Sequence, residues 1–154
     1  MIGVFCSLET RAQTPSLSGR IVVALKTKEP DWEYWGAIES GHVPLVPSET
    51  PILVGAWHGP KYPSQYVDVS VYSVKNREEV AKWLEPVRDK HLYAGWQVSA
   101  FQIGDEGYLS KYKNGDAFEI EFGKGALVAK ITGNDLERVK EFAQCVVEQI
   151  NAND

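Results

Sequence analysis

The chain has few of the residues that carry covalent or metal chemistry. Its 154 residues include two cysteines, three histidines and one methionine. Cys6 stands near the start and Cys145 in a helical pattern near the end, a placement that forms no zinc pattern, no C-x-x-C motif and no disulfide framework. The two are read as unpaired thiols, with Cys145 on or near a buried helix face. Spacing alone leaves a Cys6–Cys145 bridge open. His42, His58 and His91 follow one another at 16 and 33 residues, which matches no local metal-ligand pattern. No G-x-S-x-G, H-E-x-x-H, phosphate loop or G-x-G-x-x-G occurs. No catalytic residue, metal or cofactor is therefore assigned.

Positive charge is scarce as well. Sixteen Lys and Arg stand against 21 Asp and Glu, a net charge of −5, so no basic excess exists to neutralise a phosphate backbone and a nucleic-acid partner is not expected. No apolar run approaches the roughly 18 residues of a membrane span. What is present suffices for a folded core. Hydrophobic residues make up 44% and charged residues 24%, which excludes an intrinsically disordered chain, and the length fits one domain.

The first residues read differently from the rest. Ile2-Gly3-Val4-Phe5-Cys6 is apolar, and Thr10-Arg11-Ala12-Gln13-Thr14-Pro15 is small and polar, like the end of a secretory signal peptide that lacks its basic start. Residues 1–17 are read as such a remnant or as an N-terminal arm, and 18–154 as a single domain. Export to the periplasm or the medium is the expectation, with an ordinary cytoplasmic N-terminal strand as the alternative. Phe5 before Cys6 argues against a lipoprotein site.

The second half carries the clearest patterns. Phe118-Glu119-Ile120-Glu121-Phe122 alternates strictly, so a half-buried strand with Phe118, Ile120 and Phe122 inward and the glutamates outward is expected. Tyr108–Tyr112 reads as the strand before it. Parity chooses a three-residue loop at Lys113-Asn114-Gly115, which sets Tyr108, Ser110 and Tyr112 on the Phe118 face. A two-residue loop at Lys124-Gly125 leads into Ala126–Ile131, placing Phe122 opposite Leu127, Ile120 opposite Ala129 and Glu119 opposite Lys130. Asn134 is then expected to cap a helix whose Leu136, Val139, Phe142, Ala143, Val146, Val147 and Ile150 share one face. Upstream, Tyr66–Val74 reads as a strand. A helix capped by Asn76 follows to about Leu84, with Val80, Trp83 and Leu84 inward and Pro86 ending or kinking it. Trp96–Ile103, Arg20–Lys26 and Ile52–Trp57 read as further strands. Gly104-Asp105-Glu106-Gly107 reads as a solvated turn. The fold class is α+β: an antiparallel sheet of about six to seven strands, with a mid-chain helix and an amphipathic C-terminal helix packed on it.

The first half holds seven of the eight prolines and an unusual density of aromatics. Asp31-Trp32-Glu33-Tyr34-Trp35 places three aromatic rings in five positions, and consecutive Tyr34 and Trp35 cannot both face inward on a strand. Trp57, His58, Tyr62 and Tyr66 flank the Pro60 and Pro63 loop. Tryptophan and tyrosine on proline-rich loops are common in recognition surfaces. Trp32, Tyr34, Trp35, Trp57, His58 and Tyr62 are the candidate binding residues, with Trp35 and Trp57 as anchors.

The stretch Gly104-Asp105-Glu106-Gly107-Tyr108, then Phe122-Gly123-Lys124-Gly125, then Ile131 with its closing helix resembles the C-terminal half of small exported bacterial PsbP-like domains, over residues 65–150. That resemblance implies an extrinsic, non-catalytic subunit or binding module. The stretch from His42 to Pro63 has no counterpart in it, so it assigns no functional residue. The expected function is a protein-binding module or accessory subunit that meets a partner protein or membrane-complex subunit through its aromatic first half. The alternative is a small-molecule-binding protein or hydrolase with a pocket under the 42–63 loop.

Overall fold

The computed structural model describes residues 13–38 and 42–152. In chain order they form α1 (Leu17–Lys28), β1 (Glu33–Ala37), β2 (Thr50–His58), β3 (Tyr66–Ser73), α2 (Arg77–Tyr93), β4 (Gln97–Ala100), β5 (Glu106–Lys111), β6 (Phe118–Lys124), β7 (Leu127–Gly133) and α3 (Leu136–Asn151). All seven strands join one antiparallel sheet, ordered β1-β2-β3-β7-β6-β5-β4. The fold is α+β, as the patterns predict. No helix among the described residues is long and apolar enough to cross a membrane.

One strand pair explains the layering. β3 lies mid-sheet and β4 at the far edge, so the connection between them must pass over β7, β6 and β5. At about 1.5 Å per residue the 17 residues of α2 reach roughly 25 Å, enough to cross strands spaced about 4.8 Å apart. The opposite face is taken by α3 and α1, which pack on each other. There Ile21, Leu25, Val139, Phe142 and Val146 meet Val67, Val69, Ile120, Phe122 and Ile131 in the main core. A smaller core under α2 joins Val80, Trp83 and Leu84 to Tyr72, Val128 and Val46.

Several local expectations need correction. Arg20–Lys26 lies in α1, not a strand. Its β-branched run favours a strand only weakly, whereas Ile21 and Leu25 stand one helical turn apart and are both buried. Ser16 caps this helix, accepting from the Gly19 N–H at 3.2 Å. β1, across Glu33–Ala37, is an added strand. α2 runs through Pro86 to Tyr93. Proline removes a bond to the carbonyl four residues back, and both Pro86 and Lys82 are exposed, which puts the break on the solvent side of the helix. The strand expected over Trp96–Ile103 shortens to Gln97–Ala100.

The hairpins keep the predicted inward set on β6 but change the partners. Phe122 pairs with Ala129 and Ile120 with Ile131, while Glu121, not Glu119, faces Lys130. The turn therefore falls at Gly125-Ala126. On the other side Lys111 pairs with Phe118 and Leu109 with Ile120. Tyr108 and Ser110 thus lie on the glutamate face, against expectation. A lysine beside Phe118 is tolerated because its stem reaches outward and its Nζ stands 5.9 Å from the ring centroid. Asn134 does not cap α3. Asp135 does, accepting from the Arg138 N–H at 3.2 Å, while Asn134 Oδ1 accepts from the Tyr66 N–H and its Nδ2 donates to the Ser64 carbonyl. Cys145 is buried on α3 as expected, and Cys6 lies outside the described residues.

Two substitutions test these assignments by equilibrium denaturation. Phe122 is fully buried, so Phe122→Ala is expected to cost about 3–5 kcal/mol. Asp135→Ala is expected to cost roughly 0.5–2 kcal/mol, the loss of an N-cap.

Candidate functional site

The six sequence-predicted binding residues divide between core and surface. Trp32 and Trp57 are buried, each ring packed against Phe142 at 5.4 Å and 5.9 Å between centroids. Neither faces solvent, so Trp57 is no surface anchor. Tyr34 lies half-buried on Trp57 at 4.6 Å, and a Cβ at Gly55 would come within 2.8 Å of its ring. Alternation then turns Trp35 to the opposite face. There it meets His58, which pairs across from Glu33 at the end of β2, and Tyr62 from the following loop. His58 stacks on Tyr62 at 3.6 Å and 14°, and meets Trp35 at 4.5 Å with the planes tilted by 39°. Trp35 is 61% and Tyr62 52% exposed. Three of the six candidates therefore form one outward aromatic surface at the β1–β2 margin, where α2 does not reach.

His42 and His58 do not converge. His42 belongs to the Thr50 end of β2, bonded to Glu49 and stacked on Tyr72 at 4.8 Å. Glu49 also accepts from Trp83 Nε1 at 2.9 Å and from the Leu45 N–H at 3.0 Å. A cleft of about 450 Å³ lies here, walled by Ala37, Ile38, Pro44, Pro51 and Val54 with this pair. Asp105, in the glycine-flanked turn, is held by Lys124, Arg77 and the Gly125 N–H at 2.9–3.0 Å.

A third group was not legible as a site in the sequence. α2 covers the outer face of β6, so the alternating glutamates are buried: Glu119 is 4% and Glu121 1% exposed. His91, from the last turn of α2, places Nε2 3.3 Å from Glu119 Oε1. Its Nδ1 lies 3.1 Å from Ser110 Oγ, and its ring stacks on Trp96 at 4.5 Å and 15°. Glu119 Oε2 accepts from Thr132 Oγ1 at 3.1 Å and faces Lys130 Nζ at 3.6 Å. Among the described residues, Glu119 Oε1 and both oxygens of Glu121 have no hydrogen-bond partner. Above the cluster a cleft of about 510 Å³, lined by Leu45, Trp83, Pro86, Val87, Lys90 and Lys130, reaches His91.

Burial, then the neighbouring Glu119, pushes the Glu121 carboxyl up to about 10. Glu119 is held below the ordinary carboxylate range: burial opposes its charge, but the Glu121 carboxyl, Lys130, His91 and Thr132 together outweigh that. Burial lowers His91, against the pull of Glu119. The pair thus shares one proton near neutrality. The signal for this site was topological: a helix between β3 and β4 has to lie across one face of the sheet, and Tyr108 and Ser110 share the face of the glutamates.

No protein-family model matches the chain, and no curated protein matches it.

A proton held by native Glu121 but released by the unfolded chain favours folding at low pH. That contribution falls as pH rises from the ordinary carboxylate range towards about 10. Glu121→Gln keeps a neutral group of the same shape and removes the dependence. In the presence of chelator, the variant is expected to be more stable than the parent at pH 8 by at least ~1 kcal/mol, with the gap closing at pH 5; urea titrations at both pH values measure it.

Proposed function

We propose that the chain is a non-catalytic protein-binding module, an accessory subunit that meets its partner through Trp35, His58 and Tyr62. The observation that carries this is the exposure of Trp35 and Tyr62 as one stacked surface with His58. Leaving two large rings in water forgoes about 1.5–3 kcal/mol each, and tryptophan and tyrosine are frequent interface anchors. Exposed Glu33, paired across from His58, borders the stack. Aromatic faces beside a carboxylate suit a partner segment bearing arginine or lysine. The resemblance to PsbP-like domains and the N-terminal pattern Ile2–Cys6 extend the same proposal to an extracytoplasmic setting.

The other reading, a small-molecule binder or hydrolase, draws on the cleft beside His42. Its polar groups are already committed, Glu49 to His42, Trp83 and Leu45, so the aromatic surface leads.

A photoreactive phenylalanine analogue at position 35 or 62 is expected to crosslink one common protein in the native source. The same probe at Tyr93, which is 96% exposed at the end of α2, is expected not to. With that protein purified, Trp35→Ala is expected to weaken binding by about 2 kcal/mol, roughly 30-fold, without loss of stability. Equal capture from all three positions would defeat the assignment.

A further inference from the structure

We propose that His91, Glu119 and Glu121 bind one divalent first-row transition-metal cation, in a site that is independent of the aromatic surface. The nearest ligand atoms of the three residues lie within 4.8 Å of one another, a spread that metal–ligand bonds of about 2.0–2.4 Å can bridge with small side-chain adjustments. One imidazole nitrogen with carboxylate oxygens suits zinc, manganese or iron.

The polar groups around the site are arranged as a metal requires. His91 Nδ1 can donate its proton to Ser110 Oγ at 3.1 Å, which leaves the Nε2 lone pair facing Glu119 and Glu121. Stacking on Trp96 holds the ring plane. Glu119 spends Oε2 on Thr132 and Lys130, so Oε1 is the atom turned inward. Glu121 is only 1% exposed, and neither of its oxygens has a hydrogen-bond partner among the described residues.

A shared proton is the rival occupant. It satisfies one oxygen of Glu121 and leaves the other orphaned. A cation engages all three residues at once. Lys130 and Lys90 oppose it by charge, yet Lys130 is 39% exposed at the side chain and already faces Glu119 Oε2, and two carboxylates neutralise a divalent ion. Three protein ligands leave a coordination position for water, and the cleft that reaches His91 provides a route in. The ligands come from α2 and β6, so the ion would also fasten the covering helix to the sheet.

The test uses untagged full-length protein stripped with chelator, titrated calorimetrically with Zn²⁺ and followed optically with Co²⁺. One equivalent of each is expected to bind, with a visible cobalt band and a Zn²⁺-dependent rise in melting temperature. Glu121→Gln and His91→Gln are each expected to weaken binding at least 10-fold, and His42→Gln and His58→Gln to leave it unchanged. Should the site variants fail to fold, X-ray absorption of the Zn²⁺-loaded parent decides: one nitrogen with oxygen donors supports the assignment, whereas sulfur or several imidazoles overturns it. Absence of stoichiometric binding by the folded parent, or binding that survives both site variants, also overturns it.

Discussion

Strand β6 has to serve two helices at once, and the rest of the molecule is arranged around that requirement. Phe118, Ile120 and Phe122 lie beneath α3, where each ring or branched chain removed from water contributes about 1.5–3 kcal/mol. Alternation then obliges Glu119 and Glu121 to face α2. A slip of one residue gives no relief. It would send both carboxylates under α3 and three apolar side chains onto Lys130, Ser110 and Tyr108. The acids are buried because their apolar neighbours are worth more where they are.

The polar partners beneath α2 answer that constraint. Thr132 and Lys130 from β7 and His91 from the helix converge on Glu119, and Ser110 from β5 holds the far side of the His91 ring. Glu121 receives no such support and is the group that gives up its charge. An ionised carboxylate with no partner in a low-dielectric interior is far costlier than a neutral one. Proton and metal cation are therefore alternative solutions to one electrostatic problem, set by the crossing of α2 over β6.

Much of this was legible from the residues, and the rest depended on contacts distant in sequence. The inward face of β6, the strand over Ile52–Trp57 (Thr50–His58 in the fold), the Asn76 cap of α2 and the apolar face of α3 all follow from local pattern. Arg20–Lys26 misleads because its valines suit a strand, while the deciding contacts are with α3, more than a hundred residues on. The same holds at Asn134, where a good local cap is drawn away by the backbone of Ser64 and Tyr66 and Asp135 takes its place. Among the aromatic candidates, which rings stay outside is set by β1–β2 pairing, which no local pattern shows: Tyr34 meets Trp57, and Trp35 meets His58. His91, Glu119 and Glu121 have no signature because 27 residues, β4 and β5 among them, separate His91 from Glu119.

The two margins of the sheet bear on how a partner would approach. An open edge strand offers unpaired backbone groups and invites another strand. β1 is broken in register between Tyr34 and Ala37, with Gly36 at a φ of 86°, which is the twist a bulge imposes. β4, at the other edge, has four residues. Both edges are thus poor templates for strand addition, and a chain with a net charge of −5 also repels its own copies. On the proposed reading, recognition at the β1 margin would fall to side chains: the Trp35, His58 and Tyr62 faces would supply contact area and Glu33 charge. Such a surface would suit a cationic segment lying across the rings better than a strand paired along the edge.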